Sequence, residues 1–444
     1  VSPRDAALAI WRAAIAAGDV DPLVRRALRR EGPRLTVGSA TIDLDAVRRV
    51  YVLGCGKASA AMARAVEAVI GDRVTTGLVV VKDGHGVDTR VVEIAEAGHP
   101  VPDARGERAA ARLIALASAA SRDDLVIVLV SGGGSALTPA PAPPVTLAEK
   151  QRVTRLLLDA GATITELNAV RKHLSLFKGG QLARAAAPAR VIALILSDVI
   201  GDPLDVIASG PTAPDATTFA DTLRVLRARG IEDRVPASVR ERLEAGAAGR
   251  IAETPKPGDP ALARVTNVVV GNNELVVQAA REAAERLGYR AIVLTSALEG
   301  EARAAAAGFV AAVRPLPPPA CLIAGGETTV TVRGTGRGGR CQEFALAAAL
   351  ALADGEGIVV LAAGTDGTDG PTDAAGAIVD ASTVERARAA GIDARRGLDD
   401  NDAYRVLGAT GDLIVSGPTH TNLLDLYVGL HVECPFTERS ALTR

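Results

Sequence analysis

The chain of 444 residues sets 50 Lys and Arg against 52 Asp and Glu, a formal net charge of −2, with aromatic residues at 2%. That balance excludes a basic nucleic-acid-binding surface, and so few aromatics exclude a base-stacking platform. The length allows roughly two or three domains, no apolar run reaches the ~20 residues that cross a bilayer, and Cys55, Cys321, Cys341 and Cys434 lie far apart with no CxxC, which suits a reducing, cytoplasmic setting and no structural zinc.

Asp5–Ala17 carries Leu8, Trp11 and Ile15 at helical spacing with charges between them, so it reads as an amphipathic surface helix rather than a signal peptide. Val50–Leu53 is a short apolar strand that breaks at Gly54-Cys55-Gly56 and continues as an Ala-rich helix, Lys57–Ile70. A strand, glycine turn and helix in that order leave backbone N–H groups at a helix N-terminus, where the peptide dipoles favour an anion. Lys57 at that mouth adds a point charge suited to phosphate or carboxylate. A dinucleotide fingerprint would need a third glycine at position 59, which is Ser59, and the spacing of a Walker loop is absent. Two readings stay open: an anion cradle outside the common nucleotide motifs, or a plain α/β turn with a solvated lysine.

Leu78–Val81 and Val91–Ala97 are further strands, followed by a rigid loop, Gly98–Asp103, in which His99 reads as a loop residue bonded to backbone, and by a helix near Arg105–Ser118. Leu125–Val130 is apolar without alternation, the pattern of a strand buried on both faces of a parallel sheet. It feeds Ser131-Gly132-Gly133-Gly134-Ser135, a second junction whose glycines permit close approach to a ligand. A hydrolase elbow would need glycine where Leu137 stands, so Ser131 and Ser135 read as donors to an oxyanion rather than nucleophiles. Helices follow at Leu147–Asp159 and Thr163–Ser175. The second carries Asn168, Arg171, Lys172 and His173 ahead of Lys178-Gly179-Gly180, either a phosphate-facing edge or a solvated helix face. Val191–Leu196 is another doubly buried strand, and its end places Asp198 where parallel sheets bind ligands. A carboxylate there can hold magnesium or take a hydroxyl proton. The Pro/Gly-rich Glu253–Asp259 marks a boundary, giving domains 1–255 and 256–444.

The second half restarts with the strand Val268–Val270, then Gly271-Asn272-Asn273 and a helix, Glu274–Leu287. Strand-like runs follow at Ala291–Leu294, Leu322–Ala324 and Val330–Val332. The loop Gly334–Glu343 sets Arg337 and Arg340 among glycines, which favours contact with a charged ligand. Ile358–Ala363 runs into a loop with Asp366, Asp369 and Asp373. Carboxylates so crowded call for a cation such as magnesium, the other reading being a run of tight turns. Leu413–Val415 reads as the last strand, with a helix after Asn422. The repeated SGPT at Ser209–Thr212 and Ser416–Thr419, with other paired glycine devices, suggests that the halves are diverged copies.

Taken together, VLGCGKAS, GHPVPD, SGGGSAL, NAVRKHLSLFKGGQLA, LILSDVIGD, GGETTV, GRGGRCQE, GTDGTDGPTDAAG and SGPTHTNL resemble the glycerate 2-kinases, the family whose C-terminal part is called MOFRL. The resemblance covers most of the chain. It implies an α/β fold of two domains, an N-terminal Rossmann-like parallel sheet and a C-terminal MOFRL domain, with the active site in the interdomain cleft. It implies transfer of the γ-phosphate of ATP to the 2-hydroxyl of D-glycerate, giving 2-phosphoglycerate and ADP, with Mg2+ as the metal. On this chain it implies Lys57 and Arg337 as stabilisers of the transferring phosphoryl group and Asp198 as base or metal ligand. Gly54, Gly56, Ser131, Gly132, Gly133, Gly134, Ser135, Arg340 and Asn272 become binding residues, and Asp366 and Asp369 metal ligands. The partners are small molecules, with no nucleic acid and no membrane, and self-association is left open. The rival readings are an NAD(P)-dependent hydroxypyruvate reductase, which Ser59 disfavours, and a non-catalytic sugar-phosphate-binding protein, which the crowded carboxylates disfavour.

Overall fold

The computed structural model describes residues 1–352, 356–419 and 421–433; His420 and Cys434 lie outside the described residues. The chain divides into two compact units, Val20–Val270 and Val1–Asp19 with Gly271–Arg444.

The Val20–Val270 unit opens with a helix, Val20–Ala27, and a small antiparallel meander, β1 (Leu28–Glu31), β2 (Arg34–Val37) and β3 (Ala40–Asp43). Its main sheet comprises β4 (Val50–Cys55), β5 (Val74–Lys82), β6 (Val92–Ala97), β7 (Leu125–Val130), β8 (Arg190–Leu196) and β9 (Val265–Gly271), in the order β6-β5-β4-β7-β8-β9. The four ladders from β6 to β8 are all parallel. Every residue of β4 and β7 is buried, because helices cover both faces; that is why these runs show no alternation. Tyr51, Leu53, Val126, Val128, Val191 and Ala193 point to one face, where Leu113, Leu182 and Phe177 meet them. A satellite cluster built on Leu157, Val170, Phe219 and Val239 joins the helices Leu147–Asp159, Ile164–His173, Phe219–Ala228 and Ala237–Ala247. The first three of these start on capping boxes, Thr146/Glu149, Thr163/Glu166 and Thr218/Asp221, which satisfy two orphan amides at each start.

The boundary expected at 255/256 falls later. Residues around it are pinned to the first unit: Asp215 N–H donates to Pro255 O at 2.8 Å, and Arg184 reaches Glu253 O at 2.8 Å and Asp259 at 2.9 Å. β9, taken from sequence as the restart of a second domain, completes the first sheet instead.

The other unit contains β10 (Arg290–Leu298), β11 (Ala320–Gly326), β12 (Ile358–Gly364), β13 (Gly376–Asp380), β14 (Leu413–Ile414) and β15 (Asp425–His431), in the order β10-β11-β15-β12-β13-β14. Only β10 and β11 run parallel; the four remaining ladders are antiparallel. The helix Pro3–Ala17 packs on the helix Asn273–Arg286. Arg4 fastens it with ion pairs to Asp380 and Asp412, each at 2.5 Å, so the first helix belongs to this unit. On the core side, Phe309, Phe344 and Tyr427 stack edge to face and tilted, with centroids 5.7 and 4.4 Å apart. The helix Arg340–Ala351 is buried from Cys341 to Ala349, and its one buried carboxylate, Glu343, is paired with Arg303 at 2.7 Å.

Three sequence expectations fail here. Val330–Val332 is not a strand. The final strand is β15, and no helix follows Asn422 among the described residues. The diverged-copy idea fails too: one main sheet is parallel from β6 to β8, the other mostly antiparallel, and Gly271 ends an edge strand of the first sheet whereas its supposed counterpart, Gly54, lies in a central one.

Candidate active site

The carboxyl ends of β4, β7 and β8 lie side by side, because those strands are neighbours and parallel. This edge gathers Gly54–Lys57, Ser131–Ser135 and Asp198, as the sequence places them. Asp198 is partly buried just past the end of β8.

The first junction is not the open cradle that its sequence suggests. Lys57 N–H donates to Gly132 O at 2.9 Å, Ala58 N–H to Ser131 Oγ at 3.0 Å, and Ser59 N–H to Gly56 O at 3.1 Å. The amides that would meet an anion are therefore engaged, two by the neighbouring loop and one within the turn itself. Gly56 has φ +128°, and a Cβ there would sit 2.2 Å from Ser131 Oγ, so only glycine lets the two junctions close on each other. Gly54 is as constrained, with Leu129 O 2.6 Å from the same imagined atom. Ser131, expected to donate to an oxyanion, is 3% exposed and acts as an acceptor that locks the turn.

The open donors sit in the second junction. Among the described residues the amides of Gly132 and Gly133 meet no acceptor. Successive free amides at a strand end form an anion-binding concavity. Gly133 is left-handed (φ +83°), and the space where its Cβ would be is bounded by His99 Nε2 at 3.1 Å and Lys57 Cγ at 3.4 Å. Lys57 and His99 thus flank this loop. Burial, with the charges of Lys57, Lys82 and His85, pushes the His99 imidazole down to about 4, so it is neutral at pH 7. Its ring forms no backbone hydrogen bond among the described residues, contrary to the sequence expectation.

Ser135 Oγ pairs with Ser209 Oγ at 2.9 Å, and Ser209 Oγ reaches Asn168 Oδ1 at 3.3 Å. Ala208, Ser209 and Gly210 all have positive φ, at 49°, 60° and 61°. Strain of about 1–3 kcal/mol per non-glycine residue is retained where surrounding structure holds it; here the hydroxyl chain to Ser135 and Asn168 does so. Beneath the loop, Lys178 Nζ donates to Ser135 O at 2.7 Å. Burial, then the charge of Arg171, lowers this amine to about 7, with Cys55 acting the other way.

In the second unit the glycines around Arg337 have an internal cause. Cβ atoms at Gly334, Gly336 and Gly339 would strike Asp400 O at 2.3 Å, Asp402 Cβ at 2.4 Å and Asp369 Cγ at 2.3 Å. The loop is glycine-rich because it lies on neighbouring backbone, not only for a ligand. Arg337 itself is exposed, 5.1 Å over the Tyr404 ring, with Nη2 donating to Pro371 O at 3.2 Å. Arg340 is spent on carboxylates: its fork grips Asp425 at 2.6 and 3.0 Å and Nη1 meets Glu327 at 2.8 Å. Burial opposes its charge, but Asp425 more than restores it and holds the guanidinium firmly protonated.

Both carboxylates expected to hold the metal have local hydrogen-bond partners. Asp369 accepts from Cys341 N–H at 3.2 Å and Gln342 N–H at 2.8 Å, capping a helix whose own N-cap, Gly339, has no side chain. Burial, with Asp425, raises its carboxyl to about 7 against those amides and Arg340. Asp366 Oδ1 accepts from Thr368 N–H at 3.0 Å, and the residue is partly buried. Among the described residues no group of three or more His, Cys, Asp or Glu could hold a metal ion. Asn272 caps the helix Asn273–Arg286 through Leu275 N–H at 3.1 Å. Sequence reasoning missed Ser209, although its SGPT motif was visible, and gave no signal for buried Asp425, whose charged partner Arg340 lies far away in the chain.

These features define an α/β protein with a cationic, glycine-lined site at the carboxyl end of a parallel sheet. Residues 6–244 match the family described as a domain of unknown function (DUF4147), and residues 320–425 the MOFRL family. The chain is 46% identical over 402 residues to D-glycerate 2-kinase of Thermotoga maritima, covering 88% of this chain and 92% of that protein. It is 39% identical over 436 residues to glycerate 2-kinase of Pyrococcus horikoshii, covering 96% and 97%. A crystal structure of glycerate kinase from Thermotoga maritima matches with a TM-score of 0.85 at 42% identity, covering 97% of this chain and 99% of that one. The chain belongs to the glycerate 2-kinase family.

Proposed function

We propose that the protein transfers the γ-phosphate of ATP to the 2-hydroxyl of D-glycerate, releasing ADP and 2-phosphoglycerate. The observation that carries this reading is the pair of unengaged amides at Gly132 and Gly133 beside Lys57, in a chain 46% identical to a D-glycerate 2-kinase. Phosphoryl transfer asks a protein for in-line positioning and charge neutralisation rather than covalent chemistry. The Gly132–Gly133 amides and Lys57 supply fixed positive potential for phosphate oxygens. Asp198 accepts the proton of the attacking hydroxyl. Arg337 is the second cation assigned to the transferring phosphoryl group.

Mg2+ belongs to the same proposal. It needs only one or two carboxylates when phosphates and waters complete its shell, so Asp366 suits it and Asp369, turned to a helix N-terminus, does not. When bound, the ion neutralises charge on the nucleotide phosphates. No described helix is long and apolar enough to cross a membrane. A cytoplasmic location is part of the reading, supported by the free thiols of Cys55, Cys321 and Cys341.

The test is coupled ADP release with D-glycerate and magnesium, with the product's phosphate position assigned by NMR. Glycerate-dependent ADP release with 2-phosphoglycerate as product supports the proposal. No ADP release, or oxidation of NADH by hydroxypyruvate instead, refutes it.

A further inference from the structure

The helix Ile164–His173 and the turn after it carry four adjacent or nearby basic groups with different fates. Lys172 Nζ pairs with Asp205 at 2.9 Å and Asp215 at 3.4 Å, and His173 Nε2 meets Glu253 at 3.1 Å. Lys178 is held by a carbonyl, Ser135 O, as Lys150 is by Leu174 O at 3.2 Å. The Arg171 side chain, partly buried, makes no hydrogen bond or ion pair among the described residues. Its charge acts on both Lys150 and Lys178, and Glu107 offsets the charge of Lys150. Burial lowers the Arg171 guanidinium with nothing to offset it. A guanidinium withdrawn from water without a counter-charge is costly unless an anion arrives to meet it.

Its position says where that anion sits. Arg171 follows Asn168 by three residues on one helix, so the two share a face. Asn168 is joined through Ser209 to Ser135, on the glycine loop that also carries the free amides. The planar fork of arginine matches a carboxylate by two parallel hydrogen bonds, where lysine offers a point charge.

We propose that Arg171 anchors the carboxylate of the acceptor substrate, with the Ser135 hydroxyl beside it, leaving Lys57 and the Gly132–Gly133 amides to the phosphate. This rests on the kinase reading for the identity of the acid, but the anchor is tested by binding as well as by turnover. Arg171→Gln and Arg171→Lys are compared with the wild-type protein by calorimetric titration with D-glycerate and, separately, with ATP, and by steady-state kinetics. D-glyceramide, which lacks the charge, serves as the neutral probe.

Loss of a charge-assisted fork should weaken D-glycerate about 10- to 100-fold in Arg171→Gln. KM for glycerate should rise by a similar factor, while ATP affinity and kcat stay within about twofold. The preference for D-glycerate over D-glyceramide should largely vanish in the same variant. Should Arg171→Gln not fold, Arg171→Lys decides, since losing the fork alone should still weaken D-glycerate several-fold. Unchanged glycerate affinity in the folded variant, or a loss that falls on ATP, overturns the proposal. Arg171-dependent glycerate binding in a protein that releases no ADP would uphold the anchor and refute the kinase reading.

Discussion

Ser131→Ala separates a serine that holds the site from one that reacts in it. In the structure Ser131 Oγ accepts the Ala58 N–H at 3.0 Å from a position 3% exposed. Removing the hydroxyl leaves a buried backbone donor unpaired, at a cost of about 1–3 kcal/mol. For a unit of this size each kcal/mol lowers the melting temperature by roughly 2–4 °C, so the variant should melt about 2–12 °C below wild type. The other lock survives, because Lys57 N–H still reaches Gly132 O and Ser131 N–H still reaches Cys55 O, at 2.9 and 3.0 Å. Turnover should therefore stay within about tenfold. The assay pairs thermal unfolding with steady-state kinetics on the same preparation. A donor to a developing oxyanion would behave oppositely, with kcat falling about 10²- to 10³-fold and the melting temperature unmoved. That pattern would refute the assignment of Ser131 to the turn.

Lys57→Ala and Arg337→Ala should each lower kcat by about 10²-fold or more while the circular dichroism and melting curves stay native; near-normal turnover in either removes that residue from the chemistry. Asp425→Asn strips the buried partner from Arg340 and should destabilise the protein by about 3–5 kcal/mol, read as a lowered denaturation midpoint, and a neutral result would mean that the pair contributes little. Asp369 supplies a pH signature. Its folded carboxyl, raised to about 7 from 3.8, contributes stability that is full below pH 3.8 and is lost as pH rises through 7. Asp369→Asn lacks that titration, so the stability of wild type relative to the variant should fall between about pH 4 and about pH 7 and level off above that. A difference between the two that is flat with pH contradicts a raised carboxyl.

The residues made some of this legible and concealed the rest for physical reasons. Leu125–Val130 and Val191–Leu196 were readable as doubly buried strands because helices cover both faces of a parallel sheet, and that environment writes an unbroken apolar run. With those strands fixed, the placement of Asp198 and of the Ser131–Ser135 loop followed. β15 escaped notice because DLYVGLH contains an aspartate and a glycine that local pattern treats as turn residues. Asp425 is tolerated there through Arg340 and the Tyr427 hydroxyl, and Gly429 sits where a Cβ would fall 2.5 Å from Val313 Cγ2. The site was legible in its positions and not in its partners. Lys172 and Arg171 are consecutive, yet one finds Asp205 and Asp215 and the other finds no carboxylate. Which of two neighbouring cations is left for a ligand is decided by distant segments of the chain. The free amides likewise moved from the first junction to the second because Ser131 and Gly132 reach across to fill the first.

β15 sets an order of events during synthesis. It lies between β11 and β12, pairing with both, yet residues 425–431 emerge from the ribosome after every other strand of that sheet. Until they do, β10 with β11 and β12 with β13 are separate fragments, and the N-terminal helix Pro3–Ala17, made first of all, has no completed sheet to rest on. The Val20–Val270 unit has no such dependence and can fold while translation continues. A nascent chain stalled short of β15 should thus present one finished lobe and one set of exposed strand edges, the state in which a holding chaperone is most needed.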